Sequence, residues 1–70
     1  MKIQGETLRK WRTLKRLNQK GVAFKLNMSQ QKYSVWEQKK FLSDKCLQKF
    51  LTVTSCTIDE LITIQTTFEK

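Results

Sequence analysis

The sequence has no proline and no histidine, and it contains only two glycines and two cysteines in 70 residues. The lack of proline and glycine disfavours a turn-rich β-sandwich and favours helices. The chain therefore has no histidine to act as a general base and no glycine-rich loop to bind phosphate, which are common features of enzyme active sites. Two cysteines without histidine give no metal-site spacing. We therefore expect no catalytic residue, no metal and no cofactor.

Acidic residues are scarce relative to basic ones. Six Asp and Glu stand against 14 Lys and Arg, so the formal net charge is +8 and the pI is about 9.9. A compact domain with this balance attracts a polyanion, most often nucleic acid. The alternative is a basic surface without a nucleic-acid partner, and composition alone leaves both open.

Long apolar runs are absent as well. No run approaches the roughly 18 residues that a transmembrane helix needs, and the N-terminus lacks the apolar core of a signal peptide. We therefore expect a cytoplasmic protein without a membrane partner, in which Cys46 and Cys56 are free thiols. The length allows a single domain over residues 1–70, with its core over about residues 5–66.

Apolar periodicity and capping residues predict five helices. The first is expected from about Glu6 to Arg16, after a frayed segment over Met1 to Gly5. Leu8 and Trp11 form its apolar face. Leu14 lies outside this face, as plain surface or as part of a patch for a partner.

The central stretch predicts two short helices joined by a tight turn. Asn18 can cap the second helix, and Ser29 can cap a third helix over about residues 30–38. Between them, Asn27 tolerates the left-handed backbone that such a turn needs. Small Ala23 permits the close approach of two helices.

The third helix has two distinct faces. Tyr33, Trp36 and Glu37 recur at i, i+3 and i+4, which predicts a face towards the core. The opposite face carries small and polar side chains, namely Gln31, Ser34, Val35 and Gln38. We interpret the aromatic residues as core rather than as platforms for stacking bases.

The C-terminal part predicts two more helices after a basic loop, in which Phe41 and Leu42 turn towards the core. Ser43 can cap the fourth helix, and Thr57 with Glu60 three residues later has the spacing of a capping box. The fourth helix has the apolar stripe Leu47, Phe50, Leu51 and Thr54. The fifth, to about Thr66, has the stripe Ile58, Leu61 and Ile62.

Ile64 and Phe68 fall outside the stripe predicted for the fifth helix. They either pair with a second copy of the chain or form an exposed tail.

Taken in one register, these residues resemble the helix-turn-helix of the lambda-repressor-like, Xre-type bacterial and phage regulators. The resemblance covers about residues 5–62. Its motif positions are Leu17-Asn18-Gln19, Val22-Ala23, Leu26-Asn27-Met28-Ser29, Tyr33-Ser34 and Trp36-Glu37. The family commonly has glycine where Lys39 stands, so the loop after the third helix is expected to follow a different path. The resemblance implies an all-α, five-helix domain that binds double-stranded DNA as a transcriptional regulator, repressor-like in kind.

A domain of this kind would lay its third helix in the major groove. Glutamine can pair bidentately with adenine, so Gln30 and Gln31 are candidates for base contact, and Val35 can meet a thymine methyl group. The alternative for the two glutamines is solvated helix surface.

Phosphate contacts are expected around that face, from Ser29, Lys32, Lys39 and Lys40. Gln19 opens the second helix, whose N-terminus offers N–H groups to an anion. The resemblance implies a phosphate contact for Gln19. It also implies a partly buried ion pair between Arg12 and Glu37, which fixes the recognition helix. Cys56 stands where the family normally has an apolar residue, so we expect it to be a small core residue.

We expect a homodimer on DNA, through helix five or the tail, and no small-molecule ligand. The main alternative is an antitoxin-like or phage regulator whose principal role is to bind a partner protein. A further alternative is a nucleic-acid binder without sequence preference.

Overall fold

The computed structural model of the chain describes residues 2–67. These residues form five α-helices and no strand, as predicted. The helices are α1 (Gly5–Leu14), α2 (Gln19–Lys25), α3 (Gln30–Gln38), α4 (Asp44–Thr54) and α5 (Ile58–Thr67). None of these helices is both long enough and apolar enough to cross a membrane.

Four of the helices begin at the predicted capping residues. The side chains of Asn18, Ser29 and Ser43 each accept a hydrogen bond from the backbone N–H three residues later, at 2.7, 3.1 and 3.3 Å. Thr57 does the same at the start of α5, with a distance of 3.1 Å. Each cap satisfies an N–H group that the first helical turn leaves without a partner.

Left-handed residues end the first two helices. Asn27 has a φ of 57°, as predicted for the turn, and the next N–H bonds to the Ala23 carbonyl at 3.0 Å. Arg16 has a φ of 59°, and the Leu17 N–H bonds to the Arg12 carbonyl at 2.9 Å. Both helices thus end with a hydrogen bond of the six-to-one pattern. This turn ends α1 at Leu14 rather than at the predicted Arg16.

Side chains from all five helices and from the segments between them form one core. Within it the Trp11 and Phe50 rings meet edge to face, 5.1 Å between centroids. Cys56 is a buried free thiol, as predicted, whereas Trp36 is only partly buried. The buried apolar residues are Ile3, Leu8, Trp11, Val22, Ala23, Leu26, Tyr33, Leu42, Leu47, Phe50, Cys56, Leu61 and Ile64.

The prediction of a frayed N-terminal segment is wrong for residues 2–5. The Ile3 side chain is fully buried, and its carbonyl accepts a hydrogen bond from the Leu42 N–H at 2.8 Å. The Gln4 N–H donates to Oε1 of Gln65 at 2.8 Å. These partners are far away in sequence, so no local pattern reveals that the segment is held.

Two further expectations about burial are also wrong. Ile64 is buried, because it follows Leu61 by three residues and both lie on the side of α5 that packs against α1. Phe41 is 40% exposed, because Leu42 takes the core position beside it. The Phe41 ring instead lies 5.3 Å from the ammonium group of Lys2. The expectation for Phe68 lies outside the described residues.

Candidate functional site

The candidate site is the outer face of α3, and its position is set by the helices behind it. α3 packs against both α1 and α2. Ala23 of α2 is 2% exposed, so a small side chain lies inside the packed core. On the inner face of α3, Tyr33 is fully buried and its ring centroid lies 6.3 Å from that of Trp36.

An ion pair joins α1 to the end of α3. Nε of Arg12 donates to Oε2 of Glu37 at 2.8 Å, and Nη2 donates to Oε1 at 3.3 Å. The third nitrogen, Nη1, donates to the Leu17 carbonyl at 3.1 Å. The two side chains are only 16% and 4% exposed, so the bidentate pair is largely shielded from water. This is the pair that the resemblance implies.

Gln19 takes part in the same network. Its Nε2 donates to Oε1 of Glu37 at 2.9 Å, so its amide is directed towards the ion pair. An amide nitrogen carries two N–H groups, and the amide also has an acceptor oxygen. The bond to Glu37 therefore leaves one N–H group that can donate to a phosphate oxygen, which is the contact that the resemblance implies.

The hydrogen bonds of the network favour the charged forms of Arg12 and Glu37. Burial raises the pKa of Glu37, but the hydrogen bonds from Arg12 and Gln19 oppose it, and the net result is a pKa below its usual value. The hydrogen bond to Glu37 raises the pKa of Arg12. Burial, with the nearby Glu37 carboxylate, strongly raises the pKa of Tyr33. Near neutral pH the site therefore contains a charged pair beside a neutral phenol.

Two of the three side chains predicted to contact bases, Gln31 and Val35, lie on the outer face of α3, whereas Gln30 lies towards its inner face. Gln30 and Gln31 are exposed in its first turn, and Val35 is 52% exposed one turn later. Gln38 is exposed at the end of the helix, with its amide 3.4 Å from Oγ of Ser34. The face is therefore solvent-accessible and rich in amide groups.

The residues predicted to contact phosphate surround this face. Lys32, Lys39 and Lys40 are exposed. Ser29 is also exposed, and its Oγ accepts from the Lys32 N–H as the cap of α3, which leaves its hydroxyl hydrogen free to donate. Thus cations and a hydroxyl flank the amides at both ends of α3.

Gly5 positions the end of α3, a role that no pattern in the sequence indicates. Its N–H donates to the Lys39 carbonyl at 3.0 Å, so the start of α1 contacts the last turn of α3. A Cβ on Gly5 would overlap the Trp36 carbonyl oxygen and lie 2.6 Å from that of Lys39. Lys39 itself has extended backbone, with φ −70° and ψ 143°, so no left-handed glycine is needed there.

Nothing in residues 2–67 assembles a metal site, since no group of three or more Cys, Asp or Glu side chains lies close enough together. Comparison of the chain with protein-family models, with curated proteins and with solved structures finds no match.

Proposed function

We propose that the chain binds double-stranded DNA in a sequence-specific manner and acts as a transcriptional regulator of the lambda-repressor-like class. One observation carries the proposal: α3 presents exposed amides between lysines, while a shielded ion pair fixes the opposite side of the helix. A helix that reads base edges needs this combination of an accessible polar face and a rigid support. The net charge of +8 supplies attraction to the duplex.

In the proposed complex α3 lies in the major groove. Gln30 and Gln31, in its first turn, read adenine through N6 and N7, and Val35 packs against a thymine methyl group. The contacts of Ser29, Lys32, Lys39 and Lys40 to phosphate set the register without reading sequence. Gln19 adds a phosphate contact at the start of α2, while it remains bonded to Glu37.

The proposed regulator works in the cytoplasm without a cofactor, and it has no catalytic activity. It binds as a homodimer, with two half-sites about one helical turn of DNA apart. Helix α5 or the residues that follow it provide the contact between the two copies.

A second candidate function is the binding of a partner protein, as in an antitoxin-like regulator. Two exposed apolar side chains favour it: Phe24 on α2 is 85% exposed, and Leu14 at the end of α1 is 55% exposed. Aromatic side chains are enriched in protein interfaces. A chain of this kind need not enrich any sequence from a random DNA pool.

The test is selection of bound duplexes from a random pool, followed by titration of the enriched duplex at several salt concentrations. We expect a palindromic motif, and log affinity should fall by about 0.9 per neutralised phosphate for each decade of salt. A flat salt response would contradict DNA binding. Binding with a steep salt response but no enriched motif would indicate a binder without sequence preference.

Gln31 and Lys40 should separate specificity from affinity. Gln31→Ala should cost about 1–3 kcal/mol on the enriched duplex and relax the choice of base at one position. Lys40→Ala should weaken binding to enriched and scrambled duplexes alike, and it should lower the salt slope by about one. Titration of both variants against both duplexes gives the answer. Equal losses on both duplexes for Gln31→Ala would show that Gln31 does not read a base.

A further inference from the structure

A basic groove lies between α3 and α4, and its cations come from both helices. Lys32 of α3 and Lys39 at the end of that helix line one side, and Lys49 of α4 lines the other. The remaining lining residues are Asn27, Met28, Val35 and Trp36. We call this the α3–α4 groove. Lys49 was not expected from the sequence, because its place beside Lys32 and Lys39 depends on how the two helices pack.

The α3–α4 groove has no carboxylate to balance its cations. No acidic side chain lines it, and within residues 2–67 none of its three lysines has a carboxylate oxygen within 4.0 Å. By contrast, the groove beside Lys15 also contains Asp59 and Glu60. Three lysines around one groove without an acidic side chain give it a positive potential, which attracts an anion.

The groove is also placed beside the proposed reading face. Val35 belongs to both, because it is exposed on α3 and lines the groove. A chain of phosphates that passes along the groove would therefore run next to the bases that α3 is proposed to read. Proteins that bind DNA contact base edges inside a groove of the duplex and also the backbone phosphates at the rim of that DNA groove.

We propose that the α3–α4 groove holds the phosphodiester backbone of one DNA strand, and that Lys49 contacts a phosphate there together with Lys32 and Lys39. The inference rests on the proposed DNA binding by α3. It adds α4 to α3 and the start of α2 as an element that contacts the DNA. Lysine acts on phosphate as a flexible point charge and not as a planar fork. The contribution of Lys49 is therefore to affinity and register, and it is independent of sequence.

The test compares Lys49→Gln with Lys15→Gln, which removes the same charge elsewhere. Lys15 is exposed and pairs with Glu60 at 3.3 Å, in a groove lined only by α1, α5 and the residues next to them. Loss of one phosphate contact should lower the salt slope by about 0.9. The ratio of the variant Kd to the wild-type Kd should therefore be about eightfold larger at about 0.1 M salt than at about 1 M. The rise should be equal on enriched and mixed-sequence duplexes. Lys15→Gln should change the slope by much less.

Two further variants and the wild type make every outcome decisive. Lys49→Arg keeps the charge and should keep the salt slope, whereas Lys49→Glu should weaken binding more than Lys49→Gln. If Lys49→Gln behaves like Lys15→Gln while the wild-type chain binds duplex, the groove is not a backbone site and the proposed function stands. If the wild-type chain binds no duplex at any salt concentration, both the function and the groove proposal fail. Equal thermal melts for all variants confirm that the fold is unchanged.

Discussion

Gly5→Ala should lower the free energy of unfolding by about 3 kcal/mol, at the upper end of the usual cost of overpacking a core. The added methyl group would overlap the Trp36 carbonyl oxygen and crowd the Lys39 and Glu37 carbonyl oxygens. These are backbone atoms of the last turn of α3, so they cannot rotate away as a side chain can. Relief requires α1 to move away from α3, which also disturbs the ion pair between Arg12 and Glu37. Thermal and urea unfolding measure the loss.

The matched control is the other glycine of the chain. Gly21 lies inside α2, and a Cβ there meets only Oδ1 of Asn18, at 3.2 Å. That atom belongs to an exposed side chain and can shift slightly. In a helix, alanine is more favourable than glycine by about 1 kcal/mol. Gly21→Ala should therefore be neutral or mildly stabilising. If Gly5→Ala and Gly21→Ala have the same melting temperature, α1 does not pack against α3 at Gly5.

Arg12→Met should destabilise the protein by about 3–5 kcal/mol, because it leaves the buried Glu37 carboxylate without its cation. Glu37→Gln should cost less, since Arg12 keeps its hydrogen bond to the Leu17 carbonyl and is closer to water. The double variant should be more stable than the sum of the two losses predicts. Thermal melts of the three variants form the cycle. Small losses that simply add would contradict a structural role for the pair.

The pH dependence gives an independent test of the same pair. In the folded protein the pKa of Glu37 lies below the usual 4.5, so below that pH the unfolded chain binds more protons than the folded one. The contribution of Glu37 is therefore complete above about pH 4.5 and is lost as the pH falls through the folded pKa. Glu37→Gln lacks this contribution, so the difference in stability between wild type and variant should shrink under acidic conditions.

Features that depend on neighbouring residues could be predicted from the sequence. The caps at Asn18, Ser29, Ser43 and Thr57 are confirmed, because a side-chain oxygen and the N–H three residues later need no other partner. The start of α3 follows from the same rule. The Arg12–Glu37 pair was expected only through a family resemblance, since 25 residues separate its members.

Features that depend on distant contacts could not be predicted. Gly5 looked like part of a loose end, because its close neighbours are carbonyl groups of α3, more than thirty positions further on. Phe41 was placed inwards because its spacing does not distinguish it from Leu42. Lys49 lines the same groove as Lys32 and Lys39 only through the tertiary arrangement of α3 and α4, which the sequence does not reveal. The reading of bases by Gln30 and Gln31 stays a prediction, since it depends on a partner.

The hydrogen bonds of Gln65 bear on how the chain folds during synthesis. Its Oε1 accepts from the Gln4 N–H and from the Thr7 hydroxyl, each at 2.8 Å, and its Nε2 donates to the Lys2 carbonyl. One side chain of α5 thus holds the segment that precedes α1. The contacts between α2 and α3 are local in sequence and can form early, whereas contacts spanning 61 residues form only after α5 has been synthesised. Until α5 has emerged, the segment before α1 therefore lacks the hydrogen-bond partners that hold it in the folded domain.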